Sequence, residues 1–498
     1  MFWLGCGSKI CVLSKEEKDC SLFGMAVDRK LIGMWAGVAF FLLTMLVDSP
    51  FHDLSEVGWR AMGLGCAMAI WWTTECIPLA ATAFLPLVVA PVVGIASMKT
   101  IAASYSHPLI FLFLGGFILS IAMERTGLHL RIARSVVAAI GSNPKRQVGG
   151  MMLVTAFLSM WMSNTATAIM MLPVAVSTAK LVEDDSVDRS SEFGAILLLG
   201  IAYSASIGGM ATLIGTPPNA LLAAYLESAY GLQIGFGEWM KIGLPFSCVL
   251  LLLAWLWLTR KGLARSGSEA STRRIAKELR EMGAMSRAEK TVLVVFSLAA
   301  ASWMSRVYLA RITGLEITDT GIAMSAALAL FLLPFGGGSG ERLIDWSHAQ
   351  KLPWGVLMLF GGGLALATMI KDSGLADFIG GRFGELGGGS VILVLAVVVT
   401  TIVFLTEVTS NTATTAALLP LMGPVALSMG VSPIVLAIPV ALAVSCAFML
   451  PVATPPNAIV FGSGILKIEQ MARMGFALNI MAICVLVAFA KWVLPLVF

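Results

Sequence analysis

Charged residues are scarce in this sequence. Of the 498 residues, 33 are Lys or Arg and 29 are Asp or Glu, which together make up 12% of the chain, whereas hydrophobic residues make up 58%. A soluble globular protein has about 25% charged residues and needs them to cover its surface. The mean hydropathy of +0.89 leads to the same conclusion. The composition therefore excludes an ordinary soluble domain and predicts a protein embedded in a lipid bilayer.

Residues that carry enzyme chemistry are also few. The chain has four histidines, and none has the spacing of metal ligands or of a catalytic triad. The glycine runs at 361–363 and 387–389 lack the following Lys-Ser or Lys-Thr pair that a phosphate-binding loop requires. A membrane-embedded enzyme would need a nucleophile, base or metal constellation that this sequence does not supply. We predict that the chain is not an enzyme and uses no organic cofactor.

The eight cysteines follow no recognised pattern. Cys6, Cys11 and Cys20 precede the first apolar segment, and their spacing matches no zinc module. The other five lie in apolar segments and are predicted to be small core residues, namely Cys66, Cys76, Cys248, Cys446 and Cys484.

Long apolar runs dominate the rest of the chain. About eleven are long enough to cross roughly 30 Å of hydrocarbon, namely 31–47, 58–77, 78–95, 107–124, 193–229, 239–259, 291–308, 321–335, 354–370, 432–462 and 470–498. Two further apolar stretches, 148–180 and 390–428, carry a Ser-Asn-Thr triplet at the midpoint, and each half is too short to span. We predict re-entrant hairpins there, because irregular backbone at membrane depth needs protein or water to satisfy it. The expected fold is an all-α polytopic membrane protein with about 11 transmembrane helices plus two hairpins.

An internal duplication repeats the polar interruptions. Residues 157–167 read FLSMWMSNTAT and residues 404–414 read FLTEVTSNTAT. In the same order, IGTPPNA follows at 214–220 and VATPPNA at 452–458. The triplets are offset by 410 − 163 = 247 residues, and at this offset two glycine pairs also coincide. Polar interruptions at corresponding places in two halves indicate the substrate site of a secondary transporter.

The duplication divides the chain into five parts. We expect an N-terminal tail (1–30), a leading transmembrane helix with an external loop (31–57), a first repeat (58–259), a basic linker (260–290) and a second repeat (291–498). Each repeat holds five crossings and one hairpin, and the odd number predicts inverted topology, with the hairpins entering from opposite faces.

The distribution of positive charge predicts the orientation. The linker has nine Lys or Arg residues against four Glu, so it should be cytoplasmic, together with the N-terminus. The C-terminus is then expected outside. This bias also explains the net charge of +4, so no nucleic-acid partner is expected.

The repeated motifs combine groups that suit ions of both signs. Hydroxyl and amide side chains at a hairpin tip offer neutral oxygens and donors, and half-helix ends leave backbone N–H and C=O groups unpaired. Oxygen ligands suit Na⁺, whereas helix N-termini suit an anion. The paired prolines predict breaks in the crossing segments at 216–219 and 454–457, because proline cannot continue the helical hydrogen bonds.

Two acidic residues lie nearest to membrane depth. These are Glu75 and Glu407, and an ionisable residue in such a place has a functional role by default. The counterpart of Glu407 in the first repeat is Met160. A tuning role and a purely structural role for Glu407 both remain open at this point.

The paired motifs resemble those of the divalent-anion:sodium symporter family, the INDY-like dicarboxylate and citrate transporters, over residues 31–498. The resemblance implies a homodimer with a fixed scaffold and a mobile transport domain that moves as an elevator, with Na⁺ as the co-transported ion. It implies two sodium sites, one from Ser159, Ser163, Asn164 and Gly215, the other from Thr406, Thr409, Asn411 and Ala453. Thr409 and Ala453 would contribute main-chain carbonyls.

The same resemblance implies where the substrate carboxylates bind. They would lie between the two triplets and be flanked by the proline motifs, a set comprising Ser163, Asn164, Thr165, Thr216, Pro217, Ser410, Asn411, Thr412, Thr454 and Pro455. The implied function is Na⁺-coupled uptake of C4-dicarboxylates such as succinate, malate and fumarate across a bacterial inner membrane. A dicarboxylate exchanger without sodium coupling and a citrate or sulfate symporter are the alternatives. A channel is disfavoured, because pockets at hairpin tips suit occlusion and not a continuous pore.

Overall fold

The structure, a computed structural model, describes residues 29–140, 143–183, 190–261, 282–336, 340–385 and 390–494. Within these ranges every regular element is a helix, apart from one isolated bridge between Pro334 and Arg342. The predicted all-α class is therefore confirmed. Residues 1–28 of the expected tail and residues 262–281 of the expected linker lie outside the described residues.

Within the described residues, the first half contains a leading helix and eleven more. The leading helix, α1, runs over Arg29–Leu46. It is followed by α2 Glu56–Thr74, α3 Leu79–Thr82, α4 Leu85–Val92, α5 Met98–Ser104, α6 Pro108–Thr126, α7 Leu128–Ile140, α8 Pro144–Ser159, α9 Asn164–Glu183, α10 Ser190–Gly209, α11 Pro217–Tyr230 and α12 Phe236–Thr259.

The second half shows a closely similar order of helices. They are α13 Arg287–Thr313, α14 Asp319–Leu332, α15 Trp346–Ala349, α16 Trp354–Asp372, α17 Leu375–Glu385, α18 Val391–Leu405, α19 Asn411–Ser428, α20 Ile434–Ala443, α21 Pro455–Phe461 and α22 Ile468–Trp492. The stretches 148–180 and 390–428 each contain two helices that meet at a Ser-Asn-Thr triplet, and the Asn of the triplet is the first residue of the second helix.

The duplication is also visible outside the polar motifs, in backbone conformation and in packing. Gly127 and Gly374, 247 residues apart, follow α6 and α16 and have φ values of 75° and 78°. A residue with a Cβ is strained at such values, so glycine ends both segments for the same reason. Phe113 and Phe360, also 247 residues apart, pack edge to face with ring centroids 5.0 Å apart. Two equivalent residues meet in this way beside an axis that relates two repeats.

Helix lengths separate complete crossings from interrupted ones. In the described ranges, seven helical segments are long and apolar enough to cross a membrane on their own, namely Arg29–Leu46, Met98–Thr126, Glu192–Gly209, Phe236–Thr259, Arg287–Thr313, Trp354–Asp372 and Ile468–Trp492. The two Thr-Pro-Pro-Asn regions are interrupted, as predicted. The breaks lie earlier than expected, however, at 210–216 and 444–454. Pro217 and Pro455 begin the next helix, where the missing N–H costs no hydrogen bond.

The prediction that five cysteines are core residues is wrong for two of them. Cys446 is buried and Cys66 and Cys76 are half-buried, but Cys248 on α12 and Cys484 on α22 are exposed on the surface of the chain. A helix that crosses a bilayer presents apolar side chains to lipid as well as to the core, so an apolar segment does not imply burial.

The helices of the two halves interlock around the motifs. Helix α10 packs against both α8 and α9 of its own half, and the short α21 of the second half also packs against α9. In return, α11 of the first half packs against α19 of the second. Each Ser-Asn-Thr helix therefore contacts the Pro-Pro-Asn helix of the other half, which places both motif pairs in one region of the protein.

Candidate functional site

Three oxygen atoms converge at the turn between α8 and α9. The Ser159 hydroxyl is fully buried and lies 2.7 Å from Asn164 Oδ1 and 2.6 Å from the carbonyl oxygen of Ala205. Both neighbours are acceptors, and the hydroxyl has a single hydrogen to donate. Three oxygens around one hydrogen form a group that a cation can bridge. Ser163 lies beside it, and its hydroxyl accepts the N–H of Ala166 at 3.2 Å, which caps the start of α9.

Asn219 holds the break between α10 and α11 in shape. Its Nδ2 donates to three backbone carbonyls, those of Gly209 at 3.1 Å, Met210 at 3.3 Å and Thr212 at 2.8 Å. The side chain is fully buried, and its Oδ1 has no hydrogen-bond partner. In a continuous helix these carbonyls would accept backbone hydrogen bonds. In the break they accept hydrogen bonds from the side-chain amide of Asn219 instead.

The hairpin tip and the break are joined directly. The Thr212 hydroxyl donates to the carbonyl of Met160 in the tip and accepts the N–H of Gly215 at 3.1 Å. Glycine at position 209 makes the approach possible, because a Cβ there would collide with Asn164 Oδ1. Of the four residues expected at the first sodium site, Ser159 and Asn164 are in hydrogen-bond contact, while Ser163 and Gly215 lie in the same turn and break.

The second half repeats the oxygen group. The Thr406 hydroxyl, also fully buried, lies 2.7 Å from Asn411 Oδ1 and 3.0 Å from the carbonyl oxygen of Val444. The hydroxyl of Thr409 is 2.8 Å from that of Thr414.

Asn457 takes the part of Asn219 in the second break. Its Nδ2 donates to the carbonyls of Ala447 at 3.3 Å and Leu450 at 3.0 Å, and its Oδ1 likewise lacks a partner. The Thr454 hydroxyl accepts the N–H of Asn457 at 3.3 Å. Ala453, expected at the second sodium site through its carbonyl, is buried in the same break.

The residues expected to bind the substrate are the more accessible ones. All six residues of the two triplets are half-buried, as is Pro217, and Pro455 is exposed, whereas Thr216 and Thr454 are buried. Helices α9, α11, α19 and α21 all begin at these motifs. The first N–H groups of a helix have no internal partner, so the triplets at the starts of α9 and α19 offer donors to an anion, whereas the first two residues of α11 and α21 are prolines and have no N–H.

The two breaks touch in the core. Met210 Sδ lies 4.0 Å from Cys446 Sγ, and the Tyr203 ring packs edge-on to Phe448 at 5.3 Å. In the described ranges no group of three His, Cys, Asp or Glu side chains is arranged to hold a metal ion. The ligands that the motifs offer to a cation are neutral oxygens, which suit Na⁺ and not a transition metal.

The structure distinguishes the two acids singled out from the sequence. Glu75 is exposed and ends α2 in a left-handed conformation, with a φ of 48°. Glu407 is buried, and its carboxylate accepts four donors around the second break. Only Glu407 therefore lies beside the candidate site.

Sequence reasoning missed two buried hydroxyls. Ser206 and Ser445 follow the residues whose carbonyls contact Ser159 and Thr406, are almost fully buried, and have no hydrogen-bond partner for Oγ. They are 239 residues apart and not 247, because the segment between the Ser-Asn-Thr triplet and this serine is longer in the first half. An alignment of the halves that allowed this shift would have paired them.

Comparisons with known proteins agree with the motifs. A family model described as the transmembrane region of sodium:sulfate symporters matches residues 28–498. A protein of Staphylococcus saprophyticus named sodium-dependent dicarboxylate transporter SdcS is 41% identical over 477 residues, covering 94% of this chain and 92% of that protein. The protein of the same name from Staphylococcus aureus is 41% identical over 482 residues, with the same two coverages of 94% and 92%.

Two solved structures share the fold. MtrF of Neisseria gonorrhoeae, described with a class of antimetabolite efflux pumps, aligns with a TM-score of 0.55 and 12% identity over 91% of this chain and 97% of its own. The YdaH transporter of Alcanivorax borkumensis aligns with a TM-score of 0.56 and 15% identity, over 86% and 98%. At these identities the likeness concerns the fold alone.

Proposed function

This chain belongs to the sodium:sulfate symporter family, and from that premise we propose that it is a secondary transporter that couples the uptake of C4-dicarboxylates to Na⁺. The family resemblance of the motifs is confirmed over residues 28–498. Membership makes the chain an integral membrane protein and a transporter. The observation that carries the proposal is the oxygen group of hydroxyl, asparagine and carbonyl, which occurs once in each half with the same 2.7 Å spacing.

Each oxygen group supports one sodium site. We assign the first site to Ser159, Ser163, Asn164 and Gly215 and the second to Thr406, Thr409, Asn411 and Ala453. A cation in either group would be held by side-chain and main-chain oxygens, as in other transporters with broken helices, with the hydroxyl hydrogen turned away from the ion. Two Na⁺ ions would balance the charge of one dicarboxylate.

The triplets and the proline motifs support the anion. We place the substrate carboxylates against Ser163, Asn164 and Thr165 on one side and Ser410, Asn411 and Thr412 on the other. Thr216, Pro217, Thr454 and Pro455 flank this space, where four helices begin. Neither motif contains Arg or Lys, so neutral donors and bound Na⁺ must supply the attraction.

Uptake by proteoliposomes tests the function directly. The purified chain should accumulate labelled succinate when Na⁺ is high outside, and it should not do so when choline replaces Na⁺. Unlabelled succinate trapped inside the vesicles provides the exchanger control. If trapped succinate drives uptake equally well in the absence of Na⁺, the chain is an exchanger and the coupled mechanism is wrong.

Sulfate is a second candidate substrate, because the description of the matching family model names sodium:sulfate symporters. A competition series with sulfate, citrate and malate separates the two candidates. We expect malate and fumarate to displace succinate and sulfate to leave its uptake unchanged, because the relatives at 41% identity are named for dicarboxylates.

We place the N-terminus and the 260–290 linker in the cytoplasm and the C-terminus outside, on the charge of the linker. A cysteine introduced at Ser268 should react with an impermeant reagent only from the cytoplasm, and one at Gly388 only from outside.

We also propose a homodimer that works by an elevator movement. Helices α1 and α13 are each only 17% buried over their most apolar stretch, so they have surface for lipid or for a second copy. Cross-linking in native membranes tests the dimer.

A further inference from the structure

The second break is held by a buried carboxylate that the ligand assignments do not use. Glu407 Oε1 accepts the N–H of Phe448 at 2.8 Å and of Met449 at 2.9 Å, and Oε2 accepts the N–H of Leu450 at 2.9 Å. Asn479 Nδ2 on α22 donates to Oε1 at 2.8 Å. All of these partners are donors, so the arrangement suits the carboxylate form.

Backbone amides supply most of the stabilisation of this charge. In the described parts of the chain no Lys or Arg forms an ion pair with Glu407. Three successive N–H groups that face one anion form an anion-binding concavity of the backbone, and here a side chain of the protein fills it. We call residues 448–450 together with the Glu407 carboxylate the anionic clamp.

The clamp orients the groups that surround the second oxygen group. Its N–H groups face Glu407, while the carbonyls of Ala447 and Leu450 face Asn457 and that of Val444 faces Thr406. Thr406, which supplies the buried hydroxyl of the second site, is the residue directly before Glu407. A displacement of the clamp would therefore move the carbonyls on one side of the site and the hydroxyl on the other.

The first half lacks an equivalent charge. Met160 occupies the position of Glu407, and neutral groups brace the first break: Trp239 Nε1 donates to the Met210 carbonyl at 3.0 Å, and the Ser247 hydroxyl donates to that of Ile207 at 2.9 Å. The two half-sites are thus alike in the residues that would bind Na⁺. They differ in the charge of the groups that support those residues.

We propose that Glu407 is the positioning residue of the second cation site: through the anionic clamp it holds the second break in the shape that binds Na⁺, and its negative charge strengthens Na⁺ binding there. The proposal rests on the proposed function. It assigns to Glu407 no contact with the substrate, because the carboxylate is occupied by backbone and Asn479 donors. Substitution of Glu407 should therefore change the Na⁺ concentration needed for half-maximal transport more than it changes the maximal rate.

The test is a sodium titration of succinate uptake by Glu407→Gln. The amide removes the charge and turns one acceptor oxygen into a donor that faces an N–H. Losing hydrogen bonds to a charged group should raise the Na⁺ concentration for half-maximal uptake about tenfold, with most of the maximal rate recovered at saturating Na⁺. Glu407→Asp keeps the charge on a shorter side chain and should restore part of the sodium affinity.

Two controls separate positioning from general damage. Glu316→Gln makes the same carboxylate-to-amide change at an exposed position between α13 and α14, and Ser305→Ala removes a hydroxyl that donates to the Ala301 carbonyl within α13. Neither change affects the clamp, so both sodium curves should match that of the wild type. Stabilisation by Na⁺ against heat, measured without substrate, should require a higher Na⁺ concentration in Glu407→Gln and should be unchanged in both controls.

Several results would overturn the proposal. One is a wild-type sodium curve for Glu407→Gln, and another is a lower melting temperature without any change in sodium affinity, which would make Glu407 purely structural. If Glu407→Gln does not fold, Asn479→Ala removes one of the four donors and leaves the charge, and an unchanged sodium curve for that variant contradicts the clamp. Failure of the proposed function looks different: the wild type would then show no Na⁺-dependent uptake, while Na⁺-induced thermal stabilisation still tests the clamp.

Discussion

The two candidate half-sites share their inner contacts and differ in what supports them. In both, a buried hydroxyl lies 2.7 Å from an asparagine Oδ1 and close to a carbonyl near the end of the helix that precedes the break. Behind this group, the first half uses an indole and a serine hydroxyl, whereas the second uses the Glu407 carboxylate and Asn479.

The difference shows which parts of a duplicated site are free to diverge. Buried backbone N–H and C=O groups need partners, but many side chains can supply them. A site that must present a group of similar neutral oxygens to a cation leaves far fewer choices of side chain. The comparison predicts that changes to the inner contacts have similar effects in both halves, and that changes to the supports have different effects.

Removing the shared asparagine should have the largest effect. Asn164→Ala and Asn411→Ala each delete an oxygen next to the buried hydroxyl and a donor at a helix start. We expect each variant to lower succinate uptake by at least about 100-fold, as expected when an interaction used by both ion and substrate is lost. Uptake is measured in proteoliposomes, with Ser305→Ala on α13, whose hydroxyl donates to the Ala301 carbonyl of the same helix, as the control. Near-normal uptake by either variant would refute the shared role of the two asparagines.

Two glycines should reveal how tightly each break is packed. A Cβ at Gly243 would lie 2.5 Å from the Met210 carbonyl, and one at Gly475 would collide still more closely with the Phe448 carbonyl. We expect both alanine variants to lose roughly 1–3 kcal/mol of stability, because backbone atoms must move. Gly475→Ala should lose more, and its sodium affinity should also fall, since Phe448 belongs to the clamp.

The control for these variants is Gly381→Ala. Position 381 lies in α17 with no atom within 4 Å of the new Cβ. Alanine there should leave stability unchanged or raise it by up to about 1 kcal/mol through helix propensity. Thermal unfolding in detergent measures all three variants, and equal losses at positions 381, 243 and 475 would rule out the packing argument.

The asparagines that hold the breaks should have a smaller and unequal effect. Asn219 donates to three carbonyls and Asn457 to two. Replacing either with Ala leaves buried carbonyls without donors, at a cost of roughly 1–3 kcal/mol. Asn219→Ala should be the less stable variant in thermal unfolding. The opposite order would indicate that Asn457 supports more of the structure than its direct bonds show.

Exchanging the two hydroxyl residues should have the smallest effect. Ser159→Thr adds a methyl group to the first site, and Thr406→Ser removes one from the second, while both keep the hydroxyl. We expect succinate uptake within about threefold of the wild type, since less than about 1 kcal/mol is at stake. A large loss in one half alone would mean that the methyl group of Thr406, or its absence at Ser159, distinguishes the sites.

Much of the helix pattern is readable from the chain. Helices α9 and α19 begin at Asn164 and Asn411, where the polar triplet interrupts an apolar run, and α11 and α21 begin at the first proline of each motif. These are local signals, since polar groups favour helix starts and proline fits only the first turn. The contact between Ser159 and Asn164 spans five residues and is local in the same sense.

Other parts of the site carry no such signal. The carbonyls of Ala205 and Val444 lie 46 and 38 residues from the hydroxyls that they contact. Asn479 lies 72 residues from Glu407 and reaches it only because α22 packs beside the second break. The sequence singled out Glu407 by its charge, but its partners are backbone N–H groups, which nearly every residue has.

Three properties of the protein follow from its linear chain: it is embedded in a lipid bilayer, it is built from two related halves, and polar side chains interrupt each half at matching places. Composition, repetition and proline position are properties of the linear chain, so they need no folding to be read. The packing of the helices determines which carbonyls face each hydroxyl, brings the breaks of the two halves into contact, and braces one break with a carboxylate and the other with neutral groups. Main-chain groups are chemically alike at almost every residue, so packing alone selects the few that form the site.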